Sequence, residues 1–312
     1  MIKLTIVSRK SKLALTQANI VKEKIIQIHP EVNIEIIGIS TSGDEILDQP
    51  LNKIGGKGLF VNELENYLLL QKADIAVHSM KDVPAKLADG LAIGAILKRA
   101  DHRDVFVSQK FSTLNELPPG SIIGTSSLRR QAQVLMVRKD LEIKPLRGNV
   151  DTRLRKMLNG EYAAIILAAA GLQRLGLTEW LKCPFAIDQM LPAVGQGAIG
   201  IEYNAANKKL KSILDQLHDD ETAACVTAER AMNAKLDGGC QAPIAGFANV
   251  NNSTITLRGL VAHPDGATTY TAEHTGVINS AHDIGLNVAE KLLAVGAGKI
   301  ISELKDTWHA SW

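Results

Sequence analysis

Apolar and polar residues alternate from Ile2 to Val7, the two-residue period of a strand with one buried face. Ser11 is placed to cap a helix in which Ala14, Ala18, Val21 and Ile25 recur at helical spacing, and His29-Pro30 ends it. The pattern predicts a second strand over Val32 to Ile39, a second helix over Leu59 to Leu70, and a third strand over Asp74 to His78. That strand stops at Ser79-Met80-Lys81-Asp82-Val83-Pro84. Strands alternating with helices imply a parallel sheet, with the ligand beyond the carboxyl ends of the strands. The polar residues found there are Ser8-Arg9, Ser40-Thr41-Ser42, Ser79, Lys81 and Asp82, and they should converge on one cleft.

A second unit of the same logic follows the charged stretch from Lys98 to Asp104. Pro118-Pro119-Gly120 turns into a strand over Ser121 to Thr125, and Ser126-Ser127 caps a helix over Leu128 to Lys139. A strand over Glu142 to Leu146 leads into Arg147-Gly148-Asn149-Val150-Asp151-Thr152-Arg153, where Asp151 or Thr152 opens the next helix. A third apolar run covers Ala163 to Ala169. Leu191 to Gly197 reads as a second crossing that returns the chain to the first unit, which makes a two-lobed protein with a hinged cleft. From about Glu221 the character changes. A helix over Thr222 to Leu236 ends at Asp237-Gly238-Gly239, strands follow around Pro243–Val250, Thr254–Val261 and Thr268–His274, and a last helix covers Ala281 to Val295.

Composition narrows the field. The 312 residues carry 35 Lys+Arg against 33 Asp+Glu, a net charge of +2, with 46% hydrophobic residues. That is too apolar for disorder and too balanced for a general nucleic-acid or membrane-surface binder. Aromatics at 4% weaken any base-stacking reading. Cys183, Cys225 and Cys240 are too few for a disulfide framework and lack CxxC spacing. The first residues read as a strand rather than a leader, and the apolar run Ala163 to Leu172 falls well short of the roughly 20 residues of a membrane span. A cytoplasmic protein is expected.

The window 121–160 departs from this balance, with nine basic residues against three acidic ones. Arg138, Lys139, Arg155 and Lys156 read as a solvated helix face. Arg129-Arg130 and Arg147 adjoin strand-to-helix turns, where free N–H groups and the helix dipole already favour anions and guanidinium forks add bidentate bonds. Polycarboxylate, phosphate and nucleic acid all remain open at this point. Gly55-Gly56-Lys57-Gly58 lacks Walker spacing and reads as a mobile loop carrying Lys53 and Lys57. Asp44, Glu45 and Asp48 read as a polar loop, so no metal site is expected. His78 ends a buried strand and reads as structural. Asp82 suits acid/base work or cation stabilisation, with Lys81 beside it to pair with it or bind an anion. Cys183 and Cys225 read as packing residues, whereas Cys240, after two glycines, is a thiol that a partner can reach.

Taken together, these segments resemble the porphobilinogen deaminases, also called hydroxymethylbilane synthases, over essentially the whole chain. The resemblance rests on Ser8-Arg9 with Leu13-Ala14-Leu15, on Gly55 to Phe60, on Ala76 to Pro84, and on Gly124-Thr125-Ser126-Ser127-Leu128-Arg129-Arg130-Gln131. It continues through Arg147 to Arg153 and Leu191 to Gly200, and is most diagnostic at Asp237-Gly238-Gly239-Cys240-Gln241-Ala242-Pro243. It implies an α/β fold of two periplasmic-binding-protein-like lobes with a hinged cleft plus a small C-terminal α+β domain. The corresponding ranges are 1–98 with 198–216, 103–191, and 220–312.

The implied activity joins four porphobilinogen molecules head to tail with loss of ammonia, then hydrolyses off hydroxymethylbilane. The implied cofactor is a dipyrromethane on a thioether to Cys240. Each pyrrole brings an acetate and a propionate, so a cleft that holds a growing chain needs many cations. The resemblance places Arg9, Lys81, Arg129, Arg130, Arg147, Arg153 and Arg174 on carboxylate-binding or catalytic positions, with Ser11 and Ser127 as neutral donors. Asp82 matches the catalytic carboxylate, which stabilises the electron-poor azafulvene left when ammonia departs and manages protons. Gln17, Thr125, Gln196 and Gly197 match cleft positions, and Phe60 with Lys53 and Lys57 a lid. The implied partners are porphobilinogen and, by hand-off of product, uroporphyrinogen-III synthase; a monomer is expected, with neither nucleic acid nor membrane. Two rivals are a non-enzymatic anion-binding protein and a DNA-binding regulator on the same lobes. The first leaves the Cys240 loop without a purpose, and no convincing helix-turn-helix supports the second. Lys12, His102 and Ala132 depart from residues frequent in the family, and none of them removes a charge-bearing role.

Overall fold

A computed structural model describes residues 2–45, 58–238 and 242–309; Asp48, Lys53, Gly55, Gly56, Lys57 and Cys240, singled out above, lie outside the described residues. The chain opens with β1 (Ile2–Arg9), α1 (Lys12–Ile28), β2 (Val32–Ile39) and a short α2 (Ser42–Glu45). Next come α3 (Asn62–Leu69), β3 (Ile75–Ser79), a 3-10 turn at Met80–Asp82, and β4 (Leu91–Ile96). The second lobe holds β5 (Asp104–Val107), β6 (Ile122–Gly124), α4 (Leu128–Val137), β7 (Glu142–Lys144), α5 (Val150–Leu158), β8 (Ala164–Ala168), α6 (Ala169–Arg174) and β9 (Cys183–Pro184). Then β10 (Ile199–Asn204) and α7 (Lys208–Asp215) return to the first lobe. The C-terminal part comprises α8 (Asp220–Lys235), β11 (Ile244–Asn251), β12 (Thr254–Ala262), β13 (Thr269–Val277), α9 (Ala281–Ala294) and α10 (Ala297–His309).

The strands form three sheets, ordered β2-β1-β3-β10-β4, β7-β6-β8-β5-β9 and β11-β12-β13. In the first, β1 runs parallel to β2 and β3; in the second, β6 runs parallel to β7 and β8. The alternation of strand and helix predicts parallel pairing throughout. The structure departs from this at one strand per lobe: β10 is antiparallel to β3 and β4, and β5 is antiparallel to β8 and β9. Each of these strands enters its sheet directly from a crossing rather than from a helix, so nothing turns it round to parallel.

Local chemistry sets the helix starts. The Ser11 side chain accepts from the Ala14 amide, and the buried residues of α1 include Ala14, Ala18, Val21 and Ile25, the helical set read from the sequence. Ser127 caps α4 by accepting from the Arg130 amide. At α5 the cap is Asn149, which accepts from the Thr152 amide, so the helix opens earlier than the expected Asp151 or Thr152. In the first lobe Val21, Ile25, Leu210 and Leu214 from α1 and α7 pack on Ile6, Ile75 and Ile201. In the third unit Met232 of α8 and Val288 and Leu292 of α9 cover Ile255 and Leu257 of the sheet. The two crossings touch. Gly197, at φ +89°, lies so close to the first crossing that a Cβ there would meet the Ala100 carbonyl oxygen at 2.7 Å.

Candidate functional site

The first lobe presents its polar residues where β1 and β3 end. The Arg9 guanidinium donates to Asp44, with Nε 3.1 Å from Oδ2, and lies 4.2 Å from the centre of the Phe60 ring. Burial pushes the Asp44 carboxyl up, but Arg9 and Thr41 outweigh it and hold the group below its ordinary range. Gln17 is buried and its amide donates to the Ser79 hydroxyl at 2.8 Å, which fixes the end of β3 against α1. Met80 is buried beyond it, and its backbone amide donates to the Ala198 carbonyl at 3.0 Å. The 3-10 turn so anchored carries Lys81 and Asp82, both half-buried.

The second lobe supplies the cations. Arg129 and Arg130 are buried, and both reach Asp104, which is 0% exposed. Arg129 Nη1 donates to Asp104 Oδ2 at 2.7 Å and to the Leu191 carbonyl at 2.7 Å. Arg130 donates to Asp104 Oδ1 from Nε (3.1 Å) and Nη2 (2.7 Å), and to the Ile166 carbonyl. Burial alone would raise the Asp104 carboxyl, yet the two guanidinium charges hold it far below the usual carboxylate range. Part of the hydrogen-bonding capacity read as anion-binding is therefore committed to an internal carboxylate. Gln196, also buried, donates to the His102 carbonyl at 2.8 Å and to Asp104 at 3.0 Å. Thr125 accepts from the Ser127 amide at 3.1 Å, and Gly197 accepts from Arg174 Nη2 at 2.6 Å.

Electrostatics ties the two lobes together. Arg153, whose Nε donates to the Gly148 carbonyl, is pushed down to about 10 by burial and then by the positive charges of Arg130 and Arg147; Asp82 opposes this and Arg9 adds to it. Lys81 is pushed down to about 8 by burial; Asp82 opposes this, and of the remaining charges Arg130 and Arg129 lower it and Asp104 raises it. Burial also lowers Arg147, and brings Arg174 down to about 10. Residues from β1, the 3-10 turn after β3, β5, α4, α5 and the turn before α5 thus act on one another. Six cations (Arg9, Lys81, Arg129, Arg130, Arg147, Arg153) and three carboxylates (Asp44, Asp82, Asp104) act on one another, an excess of three positive charges, and Arg174 stands apart, bonded to the Gly197 carbonyl. A cleft held so positive is built for a polyanion.

Burial of the Lys81 ammonium makes stability depend on pH. A cation with a lowered folded pKa weakens the fold below that value, and the penalty fades as pH rises toward its ordinary 10.5. Thermal denaturation of cofactor-free protein at pH 7 and pH 10 should show the wild type gaining on Lys81→Met as pH rises. A constant difference would remove Lys81 from the buried charge set.

A second network was not visible in the sequence. Arg99 on the first crossing makes a fork to Glu229 of α8, with Nη1–Oε1 at 2.6 Å and Nη2–Oε2 at 3.0 Å, and Arg99 Nε donates to the Gln196 carbonyl at 2.8 Å. Glu229, 0% exposed, also accepts from the amides of Gly195 (2.7 Å) and Ala248 (2.8 Å). One carboxylate therefore joins both crossings to the third sheet. His102 stacks on Phe247 of that sheet at 4.0 Å between ring centres. Glu229 lies 130 positions from Arg99, and Asp104 lies 25 from Arg129, separations at which no spacing rule pairs residues. Among the described residues no group of three or more His, Cys, Asp or Glu could hold a metal, and no helix is long and apolar enough to cross a membrane.

Two family models match the chain: "Porphobilinogen deaminase, dipyromethane cofactor binding domain" over residues 4–212, and "Porphobilinogen deaminase, C-terminal domain" over 223–294. A porphobilinogen deaminase of Chromobacterium violaceum is 50% identical over 300 residues, covering 96% of this chain and 97% of that protein. Among solved structures, the VFT2 domain of Bordetella pertussis BvgS aligns at 14% identity and TM-score 0.43, over 72% of this chain and 90% of that one. The periplasmic aliphatic sulphonate binding protein SsuA of Escherichia coli aligns at 11% identity and TM-score 0.41, over 75% and 70%.

Proposed function

Because the chain belongs to the porphobilinogen deaminase family, we propose that its cleft carries out that family's reaction with Asp82 as the catalytic carboxylate and the surrounding cations as carboxylate holders. The enzyme condenses porphobilinogen into hydroxymethylbilane for tetrapyrrole biosynthesis, and its cofactor is a dipyrromethane. The observation that supports the residue roles is the excess of positive charge from both lobes around one half-buried carboxylate. Two pyrroles with an acetate and a propionate each carry four carboxylates, the kind of polyanion that such a surplus of cations favours. Bound through Cys240, that group supplies the pyrrole carbon from which the chain grows.

In this reading Arg9, Arg129, Arg130, Arg147, Arg153 and Arg174 hold carboxylates, each bond replacing water lost on burial. Lys81, already pushed down to about 8, regains its charge preference when an anion enters. Asp82 stabilises positive charge on the substrate ring as ammonia leaves, and holds the proton that passes between the amine and the attacked carbon. Ser11 and Ser127 donate to carboxylate oxygens, and Phe60 under Arg9 shields the site from water. We read the chain as three domains, 1–98 with 198–216, 103–191, and 220–312, in line with its three sheets. We also infer a cytoplasmic monomer that passes its product to uroporphyrinogen-III synthase.

Intact-protein mass spectrometry with peptide mapping tests the core of this. The peptide containing Cys240 should carry the added mass of two linked pyrroles, and Cys240→Ser should lack it. A thiol that stays unmodified after porphobilinogen is added would overturn the proposal and favour an anion-binding protein on the same lobes.

A further inference from the structure

On the face of the first sheet opposite α1, behind the strand that leads to Asp82, lie three ionisable side chains with no part in the reaction just described. His78 on β3 and Glu202 on β10 are 6% and 0% exposed, with His78 Nε2 2.9 Å from Glu202 Oε2. The second oxygen, Glu202 Oε1, is buried with no hydrogen-bond partner. An orphaned carboxylate oxygen in a dry site is costly, and native proteins seldom leave one. Glu65 of α3, 7% exposed, is the other carboxyl of the group; its Oε1 accepts from the Ala88 amide at 2.9 Å, and its side chain lies within hydrogen-bonding reach of Glu202.

Two carboxylates so close, both out of water, do not both ionise. We propose that Glu65 is a neutral carboxylic acid in the folded protein, its O–H given to Glu202 Oε1, and that this shared proton makes Glu65 a positioning residue for the turn carrying Asp82. The connection runs through β10. Glu202 pairs with Ala76 and Gly200 with His78 across the two strands, and a Cβ on Gly200 would collide with the Met80 sulfur. Met80 opens the Lys81-Asp82 turn, so the sheet face fixed by Glu65, Glu202 and His78 is the floor on which that turn is set.

The charges facing Glu65 are few. From β3 comes His78 and from β10 Glu202, while β4 has no ionisable residue. On β1, Lys3 is paired with Glu35 and Arg9 with Asp44; on α3 itself, Glu63 accepts from Ser42 and Tyr67 lies under Lys72. Burial pushes the Glu65 carboxyl up; the Ala88 amide pulls it down, the Glu202 charge adds to the rise, and His78 opposes it. An acid whose folded pKa is raised favours the fold fully below its ordinary value and loses that contribution as pH climbs through the folded one.

Glu65→Gln is the decisive variant, since its amide N–H can serve Glu202 and its carbonyl the Ala88 amide, without titrating. In deuterated buffer at neutral pH, the wild-type holoenzyme should show the infrared carbonyl band of a protonated carboxylic acid, and Glu65→Gln should lack it. Between pH 5 and pH 9 the melting temperature of Glu65→Gln should gain roughly 2–4 °C on the wild type. Glu65→Ala should lower kcat more than it changes KM, and Glu65→Gln should restore it. Identical infrared spectra, or a melting difference that stays constant with pH, would overturn the shared proton even if Glu65→Ala fails to fold. Wild-type kcat in Glu65→Ala would overturn the positioning role. That role rests on Asp82 being catalytic, but the spectra and melting curves read the proton whether or not it is.

Discussion

An Asp82→Asn enzyme should fold, keep its affinity for porphobilinogen and lose turnover by about two to four orders of magnitude, the usual worth of a positioned acid–base group. The amide copies the shape of the carboxylate, and the turn is anchored by buried Met80 rather than by Asp82 itself. What disappears is the negative charge. Asp82 is the carboxylate that opposes the shifts of both Lys81 and Arg153, so it sits among cations from both lobes. A neutral amide there can neither offset positive charge on a pyrrole nor carry a proton. The split matters: kcat should fall with KM little changed, because the carboxylate holders remain. Steady-state release of ammonia measures it, and wild-type-like turnover would remove Asp82 from the mechanism.

Asp104 should be costly in stability instead. Asp104→Ala leaves Arg129 and Arg130 buried without their shared counter-charge, a change that typically costs about 3–5 kcal/mol. Both guanidinium groups and Gln196 aim their donors at this one carboxylate. Its folded pKa is held low, so it contributes stability above the ordinary carboxylate range that is lost as pH falls through and below that range. Urea denaturation at pH 7 should show the loss in the midpoint, and the gap between wild type and variant should close on acidification. A variant as stable as the wild type at pH 7 would mean that the arginines find their partner elsewhere.

The sequence made much of this legible where the signal is local. Ser11 and Ser127 cap the helices that they precede, and the Ala14, Ala18, Val21, Ile25 stripe is buried as its spacing requires. Of the polar residues expected to converge, Arg9 and Asp82 of the first lobe act on Arg153 of the second, as do Arg130 and Arg147. Legibility fails wherever partners are distant in the chain. Nothing near Asp104 announces two guanidinium groups, and Glu229 inside a helix looks like any solvated acid. At α5 three capping residues compete within a few positions, and Asn149 prevails because its side chain reaches the Thr152 amide at 2.9 Å. The helix Ala297–His309 went unread, and so did the antiparallel strands β5 and β10, since a short apolar strand carries no mark of its direction.

The insertion of β10 between β3 and β4 bears on how the chain is made. Among the described residues β4 pairs with no strand but β10, and β10 begins about a hundred residues after β4 ends. At roughly 5–20 residues per second on the ribosome, the first lobe waits about 5–20 s for its fifth strand. During that interval β3 has an open edge and β4 has two, apolar on their inner faces, the kind of template that recruits other chains. The nascent first lobe therefore carries these open edges until the second crossing delivers β10 and closes the sheet.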